Sequence, residues 1–177
     1  LKDFFANPPA GKTIILAGSK RIIEQAFIDH MERFEKEGIT LICQGLGGGT
    51  GRMESDFAAA EGTAIWMLTP WMYEGIDQPE GTVDRLIIDT LPFDHPNHPI
   101  ASRRKEHYNN GFEDYLLPRV QHRLFRLLRT FCRHRKPETS EVVLIDKRLH
   151  EKSYGRKLMN YLSIFAENEG IPEEKNA

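Results

Sequence analysis

With 177 residues, 40% hydrophobic and 28% charged, the chain can bury one ordinary core, and a formal net charge of −2 excludes a wholesale polycation. No run approaches the roughly 18 apolar residues that span a bilayer, so no membrane partner is expected. Cys43 and Cys132 are too few and too far apart for a zinc or iron–sulfur motif; in apolar contexts they read as buried free thiols of a cytoplasmic protein. The opening Leu1-Lys-Asp-Phe-Phe lacks an initiator Met and is no signal peptide, as expected of a piece of something longer.

The first predicted strand is Gly11-Lys-Thr-Ile-Ile-Leu-Ala17, followed by an amphipathic helix from Lys20 to Glu37 with Ser19 as its N-cap. Ile39-Thr-Leu-Ile-Cys43 is a second strand, Gly45 to Gly51 a glycine-rich loop and Arg52 to Ala60 a short helix. Thr63 to Leu68 and Arg85 to Asp89 are strands three and four, and helices follow over Ile100–Tyr108 and Pro118–His134, the second with Pro at its first position. Glu141 to Asp146 is a fifth strand and Tyr154 to Ala166 a last helix, with residues 167–177 left as a polar tail. Continuously apolar strands alternating with helices predict a three-layer α/β domain over residues 1–166, with a mostly parallel sheet of about five or more strands.

Gly11-Lys12-Thr13 invites a phosphate-loop reading, but that pattern needs a Gly five residues earlier, where Ala6 stands, and a strand before the loop rather than after it. Gly45-Leu-Gly47-Gly48-Gly49-Thr-Gly51 does lie between strand and helix, yet fits neither nucleotide-loop spacing and reads as a surface loop first, with contact to a nucleic-acid backbone as the lesser alternative. His95-Pro-Asn-His98 has an intervening proline and no clear further ligand, so no metal site is expected.

Seven cationic residues and no acidic one lie between Arg119 and Lys136. At about 100° per residue, Arg119, Arg123, Arg126, Arg129 and Arg133 fall within a sector of about 120°, with Leu116, Leu117, Val120, Leu124, Leu127, Leu128 and Phe131 opposite. A solvated helix face ordinarily interleaves Glu with Lys or Arg; this one does not, and guanidinium suits bidentate phosphate binding. Arg133, Arg135 and Lys136, at the far end, are candidates to hold nucleic acid or a partner. Tyr73-Glu74-Gly75-Ile76-Asp77 sits just past the third strand, where open α/β sheets place ligands, and the fourth strand leads to Leu91-Pro92-Phe93.

Together these segments resemble the second motor domain of DinG/XPD-type superfamily 2 DNA helicases. The likeness runs from Glu74-Gly75-Ile76-Asp77 through Leu91-Pro92-Phe93-Asp-His-Pro96-Asn-His-Pro99 and Leu117-Pro118 ahead of His122-Arg-Leu-Phe-Arg126-Leu-Leu-Arg129. It closes on Leu144-Ile-Asp146-Lys-Arg148 and Tyr154-Gly155. His122 stands where the family has Gln, and Arg123 and Phe125 replace two glycines, which marks a divergent branch such as the helicase of type IV CRISPR systems.

The resemblance implies a RecA-like domain that completes an ATP site and tracks single-stranded DNA 5′ to 3′. Its partners would be the first RecA-like domain of the same protein and, for that branch, a CRISPR effector complex. Arg126 and Arg129 would be the catalytic fingers, with Glu74, Gly75, Asp77 and His122 at the nucleotide. Ser19, Lys20, Gln44 and Thr69, near strand ends, would touch the DNA backbone. Mg²⁺ would be held mainly by the first motor domain, so the isolated chain is expected to be inactive. From another class, the same arginine face would serve a stand-alone nucleic-acid or protein-interaction module without ATPase activity. A small enzyme using Glu74 and Asp77 as acid and base lacks an accompanying nucleophile or metal cluster.

Overall fold

The structure, a computed structural model, describes residues 1–95, 98–137 and 139–169. Pro96 and the tail beyond residue 169 lie outside the described residues. The chain forms two compact units, one of Leu1–Thr90 with Thr130–Asp146 and one of Leu91–Arg129 with the chain from Lys147 onward.

The first unit holds the whole sheet. Its strands are β1 (Lys12–Leu16), β2 (Thr40–Cys43), β3 (Ala64–Leu68), β4 (Arg85–Ile88) and β5 (Glu141–Leu144), in the order β2-β3-β1-β4-β5. Every pairing is parallel, as continuous apolar runs require when both faces are covered. Helix α1 (Lys2–Ala6) and helix α2 (Lys20–Lys36) supply Phe5, Ile23, Ala26 and Phe34 to a core with Ile15, Leu41, Ile65, Met67 and Ile87. Helix α3 (Thr50–Ala59) sets Phe57 against Trp66, whose side chain alternates to the other face of β3. Helix α4 (Pro70–Tyr73) is a single turn after β3. Lys12 and Thr13 lie in β1, as expected of a strand start; Lys12 Nζ donates to the Ala58 carbonyl at 2.6 Å.

The second unit is helical: α5 (Pro99–Lys105), a π-helical stretch (Gly111–Leu116), most of α6 (Leu117–His134), α7 (Arg148–Glu151) and α8 (Ser153–Glu169). The last turn of α6, from Thr130, belongs to the first unit. Two expectations need correcting here. Pro118 does not open α6, because the π-helical stretch runs straight into Leu117, whose N–H reaches back five residues to the Phe112 carbonyl. A proline lacks the N–H and crowds the carbonyl four residues earlier, so a wider turn precedes it. Residues 167–169 also continue α8 rather than beginning a tail.

Leu117, Val120, Leu124, Leu127, Leu128 and Phe131 of α6 are buried and Leu116 is half-buried, as the periodicity requires. Cys43 is buried, which pushes its thiol up to about 12, whereas Cys132 is only half-buried.

Candidate functional site

At the carboxyl edge of the sheet, β3 lies between β2 and β1, so the residues after these three strands leave from neighbouring positions. Gln44 follows β2 and Thr69 follows β3; the Gln44 side-chain oxygen accepts the Thr69 N–H at 2.8 Å. The two proposed backbone contacts are thus joined directly, by a bond contributing about 1 kcal/mol. Ser19 and Lys20, beyond β1, are exposed, and Ser19 Oγ caps α2 by accepting the Ile22 N–H at 3.4 Å. Thr90, beyond β4, joins this rim and was missed in the sequence. A Cβ at Gly18 would come within 2.8 Å of Thr90 Oγ1, so the close approach of the two strand ends requires glycine.

The turn after α4 is anchored from two sides. Tyr73 is fully buried, its hydroxyl finds no hydrogen-bond partner among the described residues, and burial drives its pKa far upward. Glu74 is the C-cap of α4, Gly75 is exposed and Ile76 is buried. The Asp77 N–H donates to Glu54 Oε1 at 2.9 Å, and Gln78 Nε2 donates to the Glu54 carbonyl at 3.1 Å. The Gln78 N–H donates to Nε2 of His134, the final residue of α6, which also stands 3.6 Å from Asp77 Oδ1.

Accepting at Nε2 requires a neutral ring with its proton on Nδ1. Burial first, then Arg133, lowers the His134 pKa in keeping with this. An unfolded chain takes up a proton near pH 6.5 while the folded one resists it, so His134 contributes stability above that pH and the contribution is lost as pH falls. His134→Gln keeps an acceptor and removes the titration. Its melting temperature should fall less than wild type between pH 7 and pH 5.5 in thermal unfolding; equal falls would show that His134 does not carry this dependence.

In the second unit, α6 presents its arginines unequally. Arg119 Nε donates to Asp94 Oδ2 at 2.9 Å, Arg123 Nη2 pairs with Asp94 Oδ1, and Arg123 Nη1 donates to the Pro92 carbonyl at 2.9 Å. Burial alone would raise the Asp94 pKa, but the two guanidinium hydrogen bonds outweigh it and hold the carboxyl below its ordinary value. The expectation that five arginines face an outside anion is therefore corrected, because Asp94 takes two of them. His122, Arg126 and Arg129 are exposed, as is Arg133 in the last turn of α6, which belongs to the first unit. Beyond Arg133, in the first unit, Lys136 pairs with Asp84 at 2.6 Å and Arg135 reaches Ser140 Oγ at 3.5 Å. Of the expected site residues, Glu74, Gly75 and Asp77 belong to the first unit and His122, Arg126 and Arg129 to the second.

The closing segment also has work in the second unit. Arg148 lies over the Phe93 ring at 5.1 Å and donates to the Leu91 carbonyl at 3.4 Å. Tyr154 packs edge-on against Phe93 at 5.7 Å. His98 Nδ1 accepts the Ala101 N–H at 3.3 Å as the cap of α5. Among the described residues, no group of three or more His, Cys, Asp or Glu is gathered to hold a metal, and no helix is long and apolar enough to cross a membrane.

Comparison with known proteins matches this arrangement to a family. The Helicase C-terminal domain family covers residues 2–164. The chain is 24% identical over 184 residues to the 3'-5' exonuclease DinG of Bacillus subtilis, covering 99% of this chain and 19% of that protein. It is 28% identical over 96 residues to the ATP-dependent DNA helicase DinG of Photobacterium profundum, covering 52% of this chain and 14% of that protein. The chain thus corresponds to about a fifth or less of the length of these relatives. A parallel five-stranded sheet, the Glu-Gly-Ile-Asp turn after β3, the arginine helix and a family match over nearly all residues have one meaning: the chain belongs to the helicase C-terminal domain family, of the DinG/XPD type.

Proposed function

We propose that this chain is the second RecA-like motor domain of an ATP-dependent DNA helicase, completing an ATP site with Arg126 and Arg129 and tracking single-stranded DNA 5′ to 3′. The observation that carries the reading is the placement of these two arginines: Arg126 and Arg129 are exposed three residues apart on one helix face. Two guanidinium groups at that spacing can reach one terminal phosphate. They would stabilise charge on the equatorial oxygens as the phosphoryl group leaves.

Glu74, Gly75, Asp77 and His122 would line the rest of the nucleotide, with Mg²⁺ held mainly by a first RecA-like domain outside this chain. Ser19, Lys20, Gln44 and Thr69 would meet the DNA backbone. Hydroxyl, amide and N–H contacts to phosphate carry no base information, which suits a sequence-blind motor. A cytoplasmic location goes with this reading. A CRISPR effector complex as partner has only the branch resemblance behind it.

The decisive experiment offers the intact protein 5′-tailed and 3′-tailed duplexes with and without ATP. ATP-dependent separation of the 5′-tailed duplex is the expected result, and the isolated chain should hydrolyse no ATP. Binding of nucleic acid or protein with no ATP hydrolysis by the intact protein would overturn the motor reading in favour of a stand-alone interaction module.

A further inference from the structure

The chain has two tryptophans, and the fold treats them oppositely. Trp66 in β3 is fully buried against Phe57, with ring centroids 5.4 Å apart. Trp71, in α4, is 80% exposed, the most exposed of the large hydrophobic side chains in the described residues. An indole carries one of the largest apolar surfaces of any side chain, so leaving it in water forgoes stabilisation that folding ordinarily collects.

Its mounting is rigid. Two residues on, Tyr73 anchors α4 with complete burial, and at the start of α4 the Thr69 N–H is held by Gln44. The indole is therefore held outward at the carboxyl end of β3, between the ends of β2 and β1. Around these ends the exposed or half-exposed groups include the polar Gln44, Thr69, Ser19 and Lys20, with Leu46, 46% exposed, Ile22, 37% exposed, and the part-exposed Pro70 and Met72 as apolar neighbours. A protein-docking face calls for a contiguous apolar patch. One aromatic plane set among hydroxyl, amide and ammonium groups instead matches a nucleotide, which has a flat π face and an anionic backbone.

We infer that Trp71 is a stacking platform for one unpaired base of single-stranded DNA whose backbone crosses the rim of Gln44, Thr69, Ser19 and Lys20. This rests on the motor reading above and extends it to a base-contacting residue. Stacking is tolerant of base identity, so it grips the strand without reading it.

The test uses the intact protein, with oligo(dT) as probe and Trp71→Phe as the spectroscopic blank. Wild-type emission minus that of the blank isolates Trp71. Saturating oligo(dT) should quench this difference signal. Trp71→Ala should weaken oligo(dT) binding by roughly 5- to 150-fold, with its melting temperature and the salt dependence of binding unchanged, because no charge is removed. Lys20→Gln should instead make the salt dependence shallower. Tight oligo(dT) binding with unquenched Trp71 emission, and affinity within twofold in Trp71→Ala, would overturn the platform while leaving the motor reading intact. Failure of the wild type to bind oligo(dT) at all would overturn both. Shielding of Trp71 from acrylamide before DNA is added would also overturn it, and would assign the indole to a protein partner.

Discussion

Arg126→Ala and Arg129→Ala in the intact protein should each lower DNA-stimulated ATP turnover by about 10³-fold or more, without lowering the melting temperature. Both side chains are exposed on α6, so truncation opens no cavity. In the proposed role, their shared helix face would aim two planar donors at one phosphate, and the transition state, with charge spread over the equatorial oxygens, would gain more from them than the ground state. Lysine at either position should not restore the rate, because a point charge lacks the forked geometry. Arg119→Ala and Arg123→Ala are the internal contrast. Each strips one donor from Asp94, a carboxylate only 8% exposed, so stability rather than turnover should suffer first. Near-normal turnover in both the Arg126 and Arg129 variants, measured with saturating single-stranded DNA, would remove the finger assignment.

Gly155→Ala should be the most damaging small substitution in the second unit. Gly155 is buried at the start of α8, and a Cβ there would sit 2.0 Å from the Leu149 carbonyl oxygen and 2.9 Å from that of Arg148. These are main-chain atoms of α7 and cannot swing aside as a side chain would. One methyl group must therefore push the two helices apart, at a cost of roughly 3 kcal/mol or more. At about 2–4 °C per kcal/mol for a chain of this size, thermal unfolding should shift down by about 10 °C. A shift under about 2 °C would mean that the helices separate freely and that the tight contact is not structural.

The Tyr154-Gly155 match was visible as a family likeness, but its reason was not. The requirement comes from α7, a four-residue turn too short to leave any periodicity in the sequence. The same limit explains the omission of α1 and α4. The five strands were legible because a parallel sheet covered on both faces demands unbroken apolar runs, and Ile14, Ile15 and Leu16 or Ile65, Trp66 and Met67 supply them. The buried side of α6 was legible through its helical period. Long-range pairings were not. Nothing local says that Asp94, 25 residues before Arg119, takes Arg119 and Arg123, nor that Gln44 and Thr69 bond once β3 settles beside β2. His134 figured in the sequence only as the last residue of a predicted helix, and nothing local announced its burial or its acceptance of the Gln78 N–H.

The hold of Asp94 on two successive turns of α6 has a consequence for how fast such a helix can act. A long cationic side chain ordinarily surrenders freedom when it meets its anion, and so does any helix free to roll about its axis. With one carboxylate gripping Arg119 and Arg123, the roll of α6 against the Pro92–Asp94 segment is already spent before any ligand arrives. In the motor proposed above, that saving would recur at every turnover.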